Sequence, residues 1–137
     1  MTVSLDDRDL VDWTVFGRAR SELGAGFVRI LGYFREDGVK SVAAVEAAMR
    51  EQNAAGLVIP AHTLKGESRQ FGAEPLAELS ERIEMIARDC VESRETPEEA
   101  LKLVVDLRPL FERTLAILER EANTLVDRRA GLGRRVA

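Results

Sequence analysis

The sequence predicts an all-α protein built as a helical bundle. Three observations carry this expectation. Apolar residues recur at steps of three and four along most of the chain, which is the spacing of one helix face. Ala, Leu, Glu and Arg are abundant while aromatics make up only 5% of the chain, a balance that favours helix. No segment shows the alternation of a strand, and there is no internal repeat or low-complexity tract. A chain of 137 residues is long enough for one domain with a continuous core.

Residues 1–9 are polar and expected to be a flexible N-terminus, with the bundle spanning 10–126. Asp12 is a suitable cap for a short first helix over Trp13–Leu23, with Trp13, Phe16 and Leu23 in the core and Gly24 or Gly26 ending it. From Ala25 a second run carries Phe27, Ile30, Leu31 and Phe34 on one stripe. Asp37-Gly38 interrupts it before Val42, Val45 and Met49 resume it. This is either one long helix with an irregular middle or two helices meeting there. Residues 52–56 are a turn into the next helix. Pro60 leaves the start of that helix open. A start near Ile59 puts the proline in the first turn, where its missing N–H is harmless, and a start near Ala54 bends the helix at Pro60. Both readings place His62 early in the regular segment.

Gly72 can end this helix in a left-handed conformation, and Pro75 suits the first turn of the following one. There Leu76, Leu79, Ile83, Ile86 and Cys90 form a seam, with Glu74, Glu78, Glu81, Arg82, Arg88 and Asp89 on the solvated side. Thr96, Pro97 and Glu99 read as cap, first position and capping box of a last helix. Its seam is Leu101, Val104, Leu107, Phe111, Leu115, Leu118, Ala122 and Leu125, and Pro109 should bend it. Residues 127–137 hold Arg128, Arg129, Arg134 and Arg135 with Gly131 and Gly133, and are expected to be a basic flexible tail.

Composition removes several functions. No apolar run is long enough to span a bilayer, and the N-terminus lacks the basic and apolar regions of a signal peptide, so the expectation is a cytoplasmic protein without a membrane segment. The net charge of −4 lies mainly in the acidic stretch 73–126, which argues against nucleic acid as a partner. One histidine and one cysteine cannot build an ordinary zinc site or an internal disulfide. Cys90 is then a small buried apolar residue. No phosphate-binding glycine loop precedes a helix, so no nucleotide site is expected.

The informative stretch is Ala61-His62-Thr63-Leu64-Lys65-Gly66-Glu67-Ser68-Arg69-Gln70-Phe71-Gly72-Ala73. As a helix it has two unlike faces. Leu57, Ala61, Leu64, Ser68 and Phe71 form a core seam, while His62, Lys65, Gly66 and Arg69 fall on the opposite side. The only imidazole of the chain therefore points outward. A neutral histidine nitrogen is a nucleophile near neutral pH, and Lys65 and Arg69 can offset the charge of a phosphoryl group placed on it. Gly66 costs on the order of 1 kcal/mol relative to alanine in a helix, and its bare backbone leaves room for another protein's loop to reach the ring.

The run Ala61-His62-Thr63-Leu64-Lys65-Gly66, with Ser68, Gly72-Ala73 and Leu76 at their spacings, resembles the signature of histidine-containing phosphotransfer (HPt) domains. The resemblance extends from about Leu10 to Leu125. It implies an antiparallel four-helix bundle with an additional short N-terminal helix, in which the second run is a single long helix bent near Gly38. It implies that His62 is phosphorylated, through Nε2, and that Lys65 and Gly66 assist. The partners would be receiver domains, which bring the Mg²⁺; no cofactor of the chain's own is implied. Arg69 or Gln70 would help hold the phosphoryl group. Ile59, Thr63, Arg69 and Gln70 are the expected docking residues, although Ile59 reads equally well as packing on the N-terminal helix. Two other readings are a helical adaptor that binds a receiver or kinase without transferring phosphate, and a dimeric kinase-like bundle. A complete four-helix core predicts a monomer.

Overall fold

The computed structural model describes residues 6–135, with side chains as far as Asn123. Five α-helices follow one another: α1 Trp13–Leu23, α2 Phe27–Arg50, α3 Ala54–Gln70, α4 Glu74–Ser93 and α5 Leu101–Arg135. Helices α2 to α5 close a four-membered ring, each packing on its two neighbours, and α3 and α4 share the most extensive contact. Short connections make successive helices antiparallel. Helix α1 lies against α2 and α3 at one end.

The Asp12 carboxylate accepts from the N–H groups of Thr14 and Val15, so α1 begins at Trp13 as its cap requires. The Asp12 N–H in turn donates to the Gly72 carbonyl at 2.7 Å. Gly72 has φ +78° and a Cβ there would lie 2.6 Å from the Asp12 carbonyl oxygen. Glycine is needed twice over, for the left-handed turn between α3 and α4 and for the approach of α1.

The core is a file of aromatic rings continued by aliphatic side chains. Trp13, Phe16, Phe27, Phe71, Phe34 and Phe111 touch in sequence, with centroids 5.1–5.8 Å apart. Leu57, Ala61, Leu64, Ser68 and Phe71 are all buried, as the seam of α3 requires. Helix α2 runs unbroken through Gly38. The reason for this glycine is packing, since the Phe111 ring lies where a Cβ would stand.

Several expectations about helix starts and seams are corrected. At the N-terminal end Asp6 caps a 3₁₀ turn over Asp7–Leu10, Leu10 is fully buried, and Asp7 and Arg8 pair with Arg113 and Glu121 of α5. Arg8 also sits 4.6 Å over the Trp13 ring. Helix α3 begins at Ala54, because the Asn53 side chain accepts from the Gly56 N–H, so Pro60 is interior and His62 lies mid-helix rather than early. The capping box at Thr96 does not form. The Thr96 hydroxyl donates to Glu98, a 3₁₀ turn occupies Glu98–Ala100, and α5 starts at Leu101, which is exposed instead of in the seam. In α4 the buried stripe is Leu76, Ala77, Ser80, Ile83, Glu84, Ala87 and Cys90, with Leu79 and Ile86 only half-buried. The backbone of α5 continues helical through Pro109 to Arg135, so the expected basic tail is helical that far; its side chains and that of Leu125 lie outside the described residues, as do residues 1–5 and 136–137.

Candidate functional site

His62 projects from the middle of α3 with 56% of its side chain exposed. It does not stand alone. Its Nδ1 lies 3.0 Å from Oε2 of Glu84, a carboxylate on α4 that is itself only 6% exposed. The Lys65 ammonium is 2.8 Å from the other oxygen, Oε1. Arg88, one turn beyond Glu84 on α4, donates its Nε to Oε2 at 2.8 Å. One buried carboxylate thus collects an imidazole and two cations.

This arrangement explains why Glu84 stays charged. Burial by itself would raise its pKa, but Lys65, then Arg88, then His62 more than offset that and hold the group at about 2. A charged Glu84 accepts only, so the ring nitrogen facing it carries the proton. In the neutral ring this selects the tautomer with Nδ1–H toward Glu84 and the lone pair on Nε2, at the far edge of the ring.

The other residues expected at the site fall into three groups. Lys65 joins His62 through Glu84, with 18% of its side chain exposed. Gly66 is exposed, and a Cβ there would meet nothing within 4 Å, so the space above it is open. Arg69 is drawn away: its guanidinium bonds Glu81 at 2.8 Å and lies 3.8 Å from Glu74. Thr63 and Gln70 are exposed, and Gln70 borders a recess of about 130 Å³ between α2 and α3 with Tyr33, Asp37 and Glu67. Ile59 is 68% exposed, which removes the reading in which it packs on the N-terminal helix. It borders a groove of about 390 Å³ between α3 and α4, with Ala55, Val58, Arg88, Val91 and Glu92. Ser68 is buried, its hydroxyl donating to the Leu64 carbonyl, and is remote from any role beside the ring. No group of three or more His, Cys, Asp or Glu side chains is placed to hold a metal among the described residues.

The sequence reading missed the roles of Glu84 and Arg88; Arg88 is exposed, as its place on the solvated side requires, but its Nε reaches Glu84. A signal for Glu84 existed. It falls in register with Ala77, Ser80 and Ala87, and an acid in a row of small buried residues needs a cation opposite it.

The helical bundle thus presents one exposed imidazole, oriented by a buried carboxylate of the neighbouring helix. The Hpt domain profile matches residues 29–125, and the chain belongs to that family, the histidine phosphotransfer domains of phosphorelays. The fold is similar to the crystal structure of histidine-containing phosphotransfer protein B (HptB) from Pseudomonas aeruginosa PAO1, with a TM-score of 0.75 and 22% identity over 84% of this chain and 96% of that one. No curated protein matches the sequence significantly. Among the described residues no helix is long and apolar enough to cross a membrane.

Proposed function

We propose that His62 relays a phosphoryl group between aspartates of receiver domains. The observation that carries this is the half-exposed ring whose Nδ1 is held by Glu84, which leaves Nε2 as the nucleophile. A receiver docks over the α3 surface, using the open space above Gly66, with Ile59, Thr63 and Gln70 around it. Nε2 attacks the phosphorus of the aspartyl phosphate. The new P–N bond forms as the P–O bond to the aspartate breaks, and the carboxylate leaves. The ring keeps its Nδ1 proton and becomes cationic, and that charge develops against Glu84. The receiver would bring the Mg²⁺ that offsets the charge of its own acyl phosphate. Lys65 supports the phosphorylated ring from the Oε1 side of Glu84.

The reverse step uses the same proton. With Nδ1–H retained, the imidazole departs neutral when a second receiver aspartate takes the phosphoryl group, so the bond to Glu84 serves both directions. The module needs no nucleotide of its own. Its four-helix core closes within one chain, and a monomer on gel filtration is the expected state.

Incubation with a phosphorylated receiver tests the reading. Label should appear on the protein in an acid-labile, base-stable form and be absent from His62→Gln. Lys65→Ala should slow transfer by ~10-fold or more, the loss of one charge-assisted contact of about 1.5–3 kcal/mol. Labelling that survives in His62→Gln removes His62 as the carrier, and unchanged kinetics in Lys65→Ala removes the role of the lysine.

A further inference from the structure

The helix that carries His62 also carries an acid that the phosphoryl chemistry does not use. Glu67 turns away from α4 and toward α2, which packs along the other side of α3. Its side chain enters the recess of about 130 Å³ that Ile30, Tyr33, Phe34 and Asp37 of α2 form with Gln70 and Phe71. Its Oε2 is buried and has no hydrogen-bond partner among the described residues. The groups that face it carry charge of one sign only. Helix α2 presents the Asp37 carboxylate and the Tyr33 phenol, and α3 adds the Gln70 amide. Lys40 of α2 is exposed and lies outside the lining, and among the described residues no side chain of α1, α4 or α5 lines the recess.

An ionised carboxylate in such a place is costly, because nothing replaces the water it has lost. Burial first, and then the Asp37 charge, push the Glu67 carboxyl above its ordinary 4.5. Glu84 meets burial too, but Lys65, Arg88 and His62 surround it, whereas the Glu67 recess holds no cation. The two glutamates therefore respond to pH in opposite senses. As pH rises past about 4.5 the unfolded chain gives up the Glu67 proton before the folded chain does. Stability is complete below 4.5 and is lost as pH rises from there through the folded value.

We propose that Glu67 is a proton-operated latch between α2 and α3. With its proton, the side chain lies uncharged in the recess and the two helices hold together. Without it, two carboxylates face each other across the interface and the contact is weakened. The latch acts on the helix that carries His62, and Gln70, one of the expected docking residues, borders the same recess. It does not depend on His62 being a phosphoryl carrier.

The test follows the proton and the stability separately in the full chain. A ¹³C NMR titration of the side-chain carboxyls, with the Glu67 signal assigned by its loss in Glu67→Gln, should show Glu67 titrating above 4.5. In Asp37→Asn that titration should move back toward 4.5, because one of its two causes is gone. Urea unfolding of wild type, Glu67→Gln and Asp37→Asn is compared at pH 4 and pH 7. The Gln side chain keeps the shape of the protonated acid and cannot ionise. Its urea midpoint should match wild type at pH 4 and lie above it at pH 7. Asp37→Asn should also raise the midpoint at pH 7. Amide hydrogen exchange at pH 7 should be slower in Glu67→Gln along the facing turns of α2 and α3. A Glu67 that titrates at or below 4.5 overturns the proposal, and that measurement on the wild-type chain decides even where a variant fails to fold. A raised titration with no gain in midpoint for Glu67→Gln at pH 7 overturns it as well, since the charge then places no load on the interface.

Discussion

Glu84→Ala is expected to slow phosphoryl transfer to and from His62 by ~10–100-fold, by analogy with removal of the carboxylate that orients a metal-bound histidine. Three effects combine. Nothing then selects the Nδ1–H form, so the ring spends part of its time with the proton on the wrong nitrogen. The cationic ring formed on phosphorylation loses its counter-charge. Lys65 and Arg88, both ion-paired with Glu84, lose their anchor. Glu84→Gln separates these effects, because an amide oxygen still accepts from Nδ1–H but carries no charge. Its loss of rate should be smaller than that of alanine and should remain measurable against wild type. Equal rates in all three proteins would leave Glu84 a structural residue.

The same residue sets an acid limit on stability. The folded-state pKa of about 2 lies below the ordinary 4.5, so Glu84 stabilises the fold fully above the unfolded value. That contribution is lost as pH falls from about 4.5 through 2. In Glu84→Gln the stability measured by urea unfolding should depend less on pH across this window.

The second large effect concerns the bundle. Phe111→Ala should destabilise the protein by ~3–5 kcal/mol, a large share of the ~5–15 kcal/mol of a typical domain. Its ring is buried, packs tilted against Phe34 with centroids 5.8 Å apart, and occupies the notch at Gly38. Gly38→Ala alone should cost about 1–3 kcal/mol, because the new Cβ would lie 2.6 Å from Cζ of that ring and closer still to Cε1. Alanine's better helix propensity, ~1 kcal/mol, works in the opposite direction. In the Phe111→Ala background the clash is gone and only propensity remains. Gly38→Ala should then change sign and become neutral or stabilising. A thermodynamic cycle by urea unfolding checks this, and an equal cost in both backgrounds contradicts the packing role of Gly38.

What the sequence could disclose follows from the range of the forces involved. The seams of α2 and α3 were legible because burial repeats with helical period, and the start of α1 because Asp12 caps its own helix. His62 stood out because it lies opposite a seam. The start of α3 was ambiguous since Pro60 and Gly56 argue for a late start while the Asn53 cap argues for an early one, and the cap together with packing on α4 decides. Thr96 had two acidic residues within reach and its hydroxyl bonds Glu98, so the box with Glu99 never forms. Residues 6–9 were read as loose because their partners, Arg113 and Glu121, are more than a hundred residues away. The register of Glu84 with small buried residues was legible, but its partners His62 and Lys65 lie on another helix, so its role shows only in the fold.

Because the chain has a single histidine, long-range ¹H–¹⁵N correlation spectra of protein labelled at the imidazole nitrogens report one ring. Before phosphorylation the spectrum should show the proton on Nδ1, and after transfer from a receiver the phosphorus should be coupled to Nε2 with Nδ1 still protonated. A ring protonated at Nε2 before transfer, or phosphorus bound at Nδ1 after it, would contradict the account.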